Sequence, residues 1–222
     1  DTMNLIKNSS LGKMLGTGFT LVIAIGFLVA VFGRIQLDKL GENIQLLSQV
    51  RITNLIMMQE FKDNINTNAI AIRNLTMLED SRQMQQEKVR IEEMVSRNNA
   101  LLTKIHDSAV EKHAQELVAE LERVRPAYSS SYTNAITLAM ANKNSEAQHL
   151  LLTDVRAKQE AVFKALNDMV NWQEKLTVDI ADQSLKNATN AGTLMVIIAL
   201  LSAVPGAIIP WWIPPIGWGP VR

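Results

Sequence analysis

From Glu42 to Ala191 the chain runs for 150 residues without a glycine and with one proline, Pro126. Strands linked by tight turns draw on both residue types for special backbone angles, whereas helix interiors are weakened by both. The stretch is therefore expected to be all-α. With no cysteine in the sequence, neither disulfides nor thiolate metal sites help to hold it, and side-chain packing must suffice.

Apolar spacing divides the stretch into four helices. Leu37, Leu40, Ile44, Leu47, Met58, Phe61, Ile65, Ile72 and Leu75 keep one heptad frame, interrupted by Arg51, Asn54 and Asn68. That frame predicts a single helix of about 40 residues and ~60 Å. A turn is expected at "LEDSRQ", where Asp80 or Ser81 can cap a second helix carrying Met84, Ile91, Val95, Leu102 and Ile105 on one face. Ser108 and Glu111 have the spacing of a capping box, opening a third helix with Leu117, Leu121, Val124 and Tyr128 inward. "NKNSEAQ" makes the last turn, Ser145 and Gln148 repeat the box, and a fourth helix runs through Leu151, Val155, Val162, Met169 and Leu176. Four such stripes joined by short turns bury their apolar faces against each other, as an antiparallel four-helix bundle.

Charges vanish at both ends. Residues 14–33 carry none, and none follows Lys186 before Arg222. A run of about 20 apolar residues matches a hydrocarbon core of ~30 Å, so two transmembrane helices are expected, at 14–33 and 191–213, flanking a domain at 34–190. The first run exceeds the ~7–15 apolar residues of a cleaved secretory signal, which favours an uncleaved anchor. Lys7 and Lys13, in a leader at 1–13, favour a cytoplasmic amino terminus. Residues 34–190 would then form a sensory domain in the periplasm, tethered to a bacterial inner membrane. Pro205 and Pro210 are expected to kink or end the second span, since proline lacks the N–H and clashes with the preceding turn; residues 214–222 make a proline-rich tail. Setting aside Lys7, Lys13, Arg222 and Asp1 leaves 19 basic and 21 acidic residues outside, with no basic tract for nucleic acid.

Candidate binding residues cluster in "RVRPAYSSSY" at 123–132. Arg125, Tyr128 and Tyr132 are spaced to share one helical face with Leu121. A guanidinium on a buried seam is costly unless an anion meets it. Two readings stand: the three form part of a ligand site, or the tyrosines are core residues with wet tips while Arg125 pairs with an acid such as Glu122. Arginine's planar fork matches carboxylates, so the ligand expected is a small organic acid, C4 dicarboxylate or citrate-like. Arg73 lies off the main seam, flanked by Ile70 and Met77 in a minor stripe suited to packing against a second copy; read alone it is a solvated surface charge. Asn68, Thr76 and Thr133 are further hydrogen-bonding candidates.

Other patterns carry less. Glu146 and His149 have the Glu-x-x-His spacing of di-iron bundles, but those need a second copy and two more glutamates. His106 and His113 straddle a turn with no cysteine nearby, a poor zinc set. Neither a phosphate loop nor a nucleophile elbow is present, so no enzyme activity, metal or cofactor is expected.

The leader "NLIKNSSLGKMLGTGF", the anchor, the long helix containing "INTNAIAIRNLTMLED", the "VRPAY" of the third helix and the "EAQHLLLTDV" of the fourth together resemble the sensory module of methyl-accepting chemotaxis proteins. The resemblance covers about residues 3–203 and rests on layout more than on any strict motif. It implies a homodimeric receptor for small attractants or repellents, signalling through a slight shift of the fourth helix, with Arg73, in the matching part of the first helix, meeting the ligand's carboxylate. It also implies a HAMP domain and a kinase-control hairpin beyond the second span, so cytoplasmic kinase-coupling partners are expected only through such an output part. Two alternatives share the layout: the input module of a sensor histidine kinase or diguanylate cyclase, and a membrane-tethered helical scaffold that senses nothing.

Overall fold

The computed structural model describes the backbone of residues 2–212 and the side chains of residues 16–204. Every regular element among them is helical: α1 (Thr2–Gln45), a π-helical turn (Leu46–Arg51), α2 (Ile52–Leu75), α3 (Ser81–Ser108), α4 (Lys112–Met140), α5 (Asn144–Leu150), a second π-turn (Leu151–Val155) and α6 (Arg156–Trp212). The contacts divide the chain into two units, Gln45–Asp179 and the remaining residues at both ends.

The unit Gln45–Asp179 is the four-helix bundle expected from the sequence. Its seam follows the heptad frame: Met58, Phe61, Ile65, Ile72 and Leu75 of α2 are buried, and so are the interrupting Arg51, Asn54 and Asn68. Met84, Ile91, Leu101 and Ile105 of α3, Val118, Leu121 and Tyr128 of α4, and Val162, Leu166 and Met169 of α6 complete one core cluster. Leu37 and Ile44, by contrast, are exposed; they belong to the other unit, where two helices replace four and cannot enclose a seam.

Helix ends were only partly foreseen. Asp80 caps α3 as expected, accepting hydrogen bonds from the backbone N–H of Arg82 (2.8 Å) and Gln83 (3.0 Å). The box at Ser108 and Glu111 does not form. Ser108 closes α3 and donates to the carbonyl of Ile105 at 2.9 Å, while Glu111, in the N-cap position of α4, makes no capping bond. Its carboxylate is taken by Arg51 instead, a charged partner worth more than a backbone N–H. Ser145 likewise lies inside α5, which begins at Asn144, and Gln148 donates to the carbonyl of Thr76 at 3.4 Å. α4 ends in a Schellman motif: Asn142 takes φ 57°, its N–H bonds to Ala139 O (2.9 Å), and Lys143 N–H bonds to Leu138 O (3.0 Å).

In the other unit, a Cβ on Gly33 would stand 3.0 Å from Met195 Cε, so glycine lets α1 and α6 approach closely there. Asn43 Nδ2 donates to Ser184 Oγ at 2.8 Å. Phe19, Ile23, Phe27, Leu28, Leu200 and Leu201 are largely exposed. Two helical runs, Gly16–Leu75 and Asn144–Val204, are each long and apolar enough to cross a membrane, and outward apolar side chains suit lipid rather than water. Of the kink or end expected at the second span's prolines, the end does not occur: α6 continues through Pro205 and Pro210 to Trp212. A proline removes one backbone bond but leaves the rest of the ladder, a loss that membrane-type helices tolerate. Residue 213, the last of the expected second span, and the tail at 214–222 lie outside the described residues.

Candidate functional site

A polar layer crosses the middle of the bundle. α2 supplies Asn64 and Asn68, one turn apart; α3 supplies Asn98; α4 supplies Tyr128 and Tyr132. All five are buried. Asn64 Nδ2 donates to Asn98 Oδ1 at 2.9 Å, and Asn98 Nδ2 donates to the carbonyl of Phe61 at 3.4 Å. The tyrosine rings meet edge to face with centroids 5.1 Å apart, and Ser129 Oγ donates to Tyr132 Oη at 3.2 Å. Burial, then the proximity of Tyr132, pushes the Tyr128 hydroxyl well above its ordinary pKa, so it stays a neutral donor.

Arg125 stands where two spaces meet. On one side it lines a small, half-open cavity of about 20 Å³ with Asn68, Asn98, Tyr128 and Tyr132. On the other it lines a surface groove of about 310 Å³ between α3 and α4, with Asn99, Thr103, His106, Asp107 and Glu122. Its guanidinium donates to Asn99 Oδ1 and makes no ion pair among the described residues. The expected alternative pairing with Glu122 is absent, because Glu122 Oε1 lies 3.1 Å from His106 Nδ1. Nor is Tyr128 wet-tipped: the residue is 4% exposed and its hydroxyl has no hydrogen-bond partner.

Four of the seven candidate residues, Asn68, Arg125, Tyr128 and Tyr132, thus line one cavity. Arg73, Thr76 and Thr133 line neither space. Arg73 is exposed near the end of α2, beside exposed Ile70 and Met77. Thr76 is buried and donates to the carbonyl of Arg73 at 2.8 Å, and exposed Thr133 donates to the carbonyl of Ser129 at 2.8 Å. Both hydroxyls are therefore engaged by their own helices. Asn64, Asn98 and Asn99 were missed. Asn98 carried a signal, falling seven residues from both Ile91 and Ile105, a core position in the heptad.

A second polar layer lies at the end of the bundle that holds the α3–α4 turn. Arg51 Nη2 donates to Glu111 Oε1 at 2.5 Å and Nη1 to Gln173 Oε1 at 3.4 Å, joining the first π-turn, the α3–α4 turn and α6. Nearby, His113 and Trp172 stack edge to face at 4.5 Å.

The chain is thus a helical bundle with a half-buried arginine beside a groove, carried on helices long and apolar enough to cross a membrane. Residues 8–188 match the model of the four helix bundle sensory module for signal transduction, and the chain belongs to that family of chemoreceptor-type sensory domains. No curated protein matches the sequence.

Proposed function

We propose that the chain is the sensory part of an inner-membrane chemoreceptor, a receptor rather than an enzyme, with its bundle in the periplasm and a small organic acid as its ligand. The observation that carries this reading is Arg125: a partly buried guanidinium whose one partner is a neutral amide, on the wall of a groove open to solvent. A carboxylate arriving through the groove would replace that amide with a charge-assisted pair, the stronger bond. The half-open cavity is too small for a C4 dicarboxylate or citrate, so the groove side is where such an acid meets Arg125.

Dimerisation is supported by the outer stripe of α2. Ile52, Ile56 and Ile70 are exposed and spaced along one face of α2 with Arg73, with exposed Met77 in the turn just beyond its end, a surface suited to a second copy. Lys7 and Lys13 support the cytoplasmic amino terminus.

The test is calorimetry and thermal shift of the full chain in lipid nanodiscs against C4 dicarboxylates and citrate. A specific acid at a hundredfold excess over its Kd is expected to add ~2.7 kcal/mol of stability, and Arg125→Ala to remove most of it with helicity unchanged. Absence of any saturable ligand would favour the scaffold alternative.

A further inference from the structure

We propose that His106 is a second binding residue of the groove at Arg125, and that it takes up a proton when a dicarboxylate binds there. The inference rests on the reading of the groove as an organic-acid site and adds the group that meets the acid's far carboxylate. Two contacts join α3 to α4 across the groove: Arg125 donates to Asn99 Oδ1, and His106 Nδ1 lies 3.1 Å from Glu122 Oε1. Asn99 and His106 are two turns, ~10.5 Å, apart along α3, and Leu102 and Thr103 line the wall between them. The groove, about 310 Å³, is at the low end of small-molecule sites and has a group able to carry positive charge towards each end.

The charges decide what the second end can accept. Arg125 is the fixed cation among the described residues that line the groove, against the carboxylates of Asp107 on α3 and Glu122 on α4. With a neutral imidazole, an entering dianion therefore meets one partner and two like charges. The ring itself adds to the repulsion. An ionised carboxylate only accepts hydrogen bonds, so Glu122 places the ring proton on Nδ1, and a neutral ring then presents Nε2 as a bare acceptor. Nε2 has no hydrogen-bond partner among the described residues. A proton on Nε2 turns the repulsion into a charge-assisted hydrogen bond to the ligand, while Glu122 on the opposite nitrogen stabilises the cation.

Histidine is the side chain type that changes charge between pH 5 and 8, so binding and protonation are linked. The complex holds the ring proton more tightly than the free protein does. The added affinity is thus complete where the free ring is already charged, and it is lost as pH rises until the bound ring too is neutral. A monocarboxylate engages Arg125 alone and needs no such proton. His106 thereby selects dicarboxylates over monocarboxylates, and more strongly as the medium acidifies.

Calorimetry of the full chain in nanodiscs tests this with succinate and with butyrate, its monocarboxylate counterpart, between pH 6.5 and 8, a window in which both are ionised. The affinity for succinate is expected to weaken with rising pH, approaching about tenfold per pH unit for one linked proton. Titrations at pH 7.5 in buffers of different ionisation enthalpy should show net proton uptake. Butyrate's Kd should stay flat. The His106 side chain is 61% exposed, so His106→Gln spares the fold; it should abolish the slope and the uptake while succinate still binds weakly through Arg125. Succinate binding with a flat Kd and no uptake, an equal slope for butyrate, or a slope that survives in His106→Gln overturns the role of His106 and leaves the organic-acid reading standing. Absence of succinate binding across the whole range overturns the proposal together with the dicarboxylate reading.

Discussion

Arg51 marks one buried polar layer of the bundle, and Asn68 with Tyr128 marks another, and the two are satisfied in different ways. At Arg51, side chains from three separate segments converge on a guanidinium that is 11% exposed, and the carboxylate that meets it comes from a turn sixty residues away. At Asn68 and Tyr128 the groups are neutral, and the Asn68 Oδ1 and Tyr128 Oη atoms have no hydrogen-bond partner among the described residues. The first layer ties three segments to one charged group, with Arg51 Nε left without a hydrogen-bond partner; the second is a neutral section of core.

Apolar packing sets the scale against which both layers are judged. Leu121, fully buried in the seam, should cost about 2–5 kcal/mol on replacement by alanine, measured by denaturant unfolding of the full chain. Glu111→Ala comes next. It strands Arg51, but Glu111 is 37% exposed and water can reach the gap, so the loss should fall below the ~3–5 kcal/mol of a fully buried pair, at about 2 kcal/mol. Replacing the pair together, Arg51→Met with Glu111→Gln, should recover most of it. A single Glu111→Ala variant as stable as the parent would show that Arg51 and Glu111 form an ordinary surface pair. Asn98→Leu in the second layer removes the partner of Asn64 and should cost about 1–2 kcal/mol. Added to Asn64→Leu, it should be nearly free, because two apolar residues leave nothing unpaired.

Which parts of this contrast could be read from the sequence follows from the range of the interactions. Seam positions repeat within one helix, so Arg51, Asn54 and Asn68 announced themselves as buried polar residues by falling in step with Met58, Phe61 and Ile65. Asp80 was equally legible, because an N-cap bonds to N–H groups two and three residues on. Glu111 was not: the local pattern of a capping box is overridden by Arg51, and nothing near residue 111 reports that competitor. Arg125 shows the same limit. Its obvious neighbour Glu122 is occupied by His106 across the groove, which leaves the guanidinium to Asn99. Pro205 and Pro210 do not end the span, since the long ladder of α6 continues past the lost backbone bonds.

The second π-turn offers the finest test of the contrast, because its acid is exposed where Arg51 is not. Asp154 Oδ2 accepts from Lys158 Nζ at 2.7 Å and from the buried Ser131 hydroxyl. The hydrogen bond from Lys158, and then the one from Ser131, holds the carboxyl below its ordinary value of 3.8. A folded-state pKa below the unfolded one means that the unfolded chain binds the proton first. The contribution is therefore complete above the ordinary carboxylate range and is lost as pH falls through it toward the lowered folded value. Asp154→Asn should leave a stability difference from the parent that is constant near neutrality and shrinks below about pH 4, with an effect smaller than any in the buried layers because the group is solvated. Urea midpoints taken between pH 3 and 7 decide it. A difference that persists undiminished at the acid end would assign the role of Asp154 to packing of the π-turn rather than to its charge.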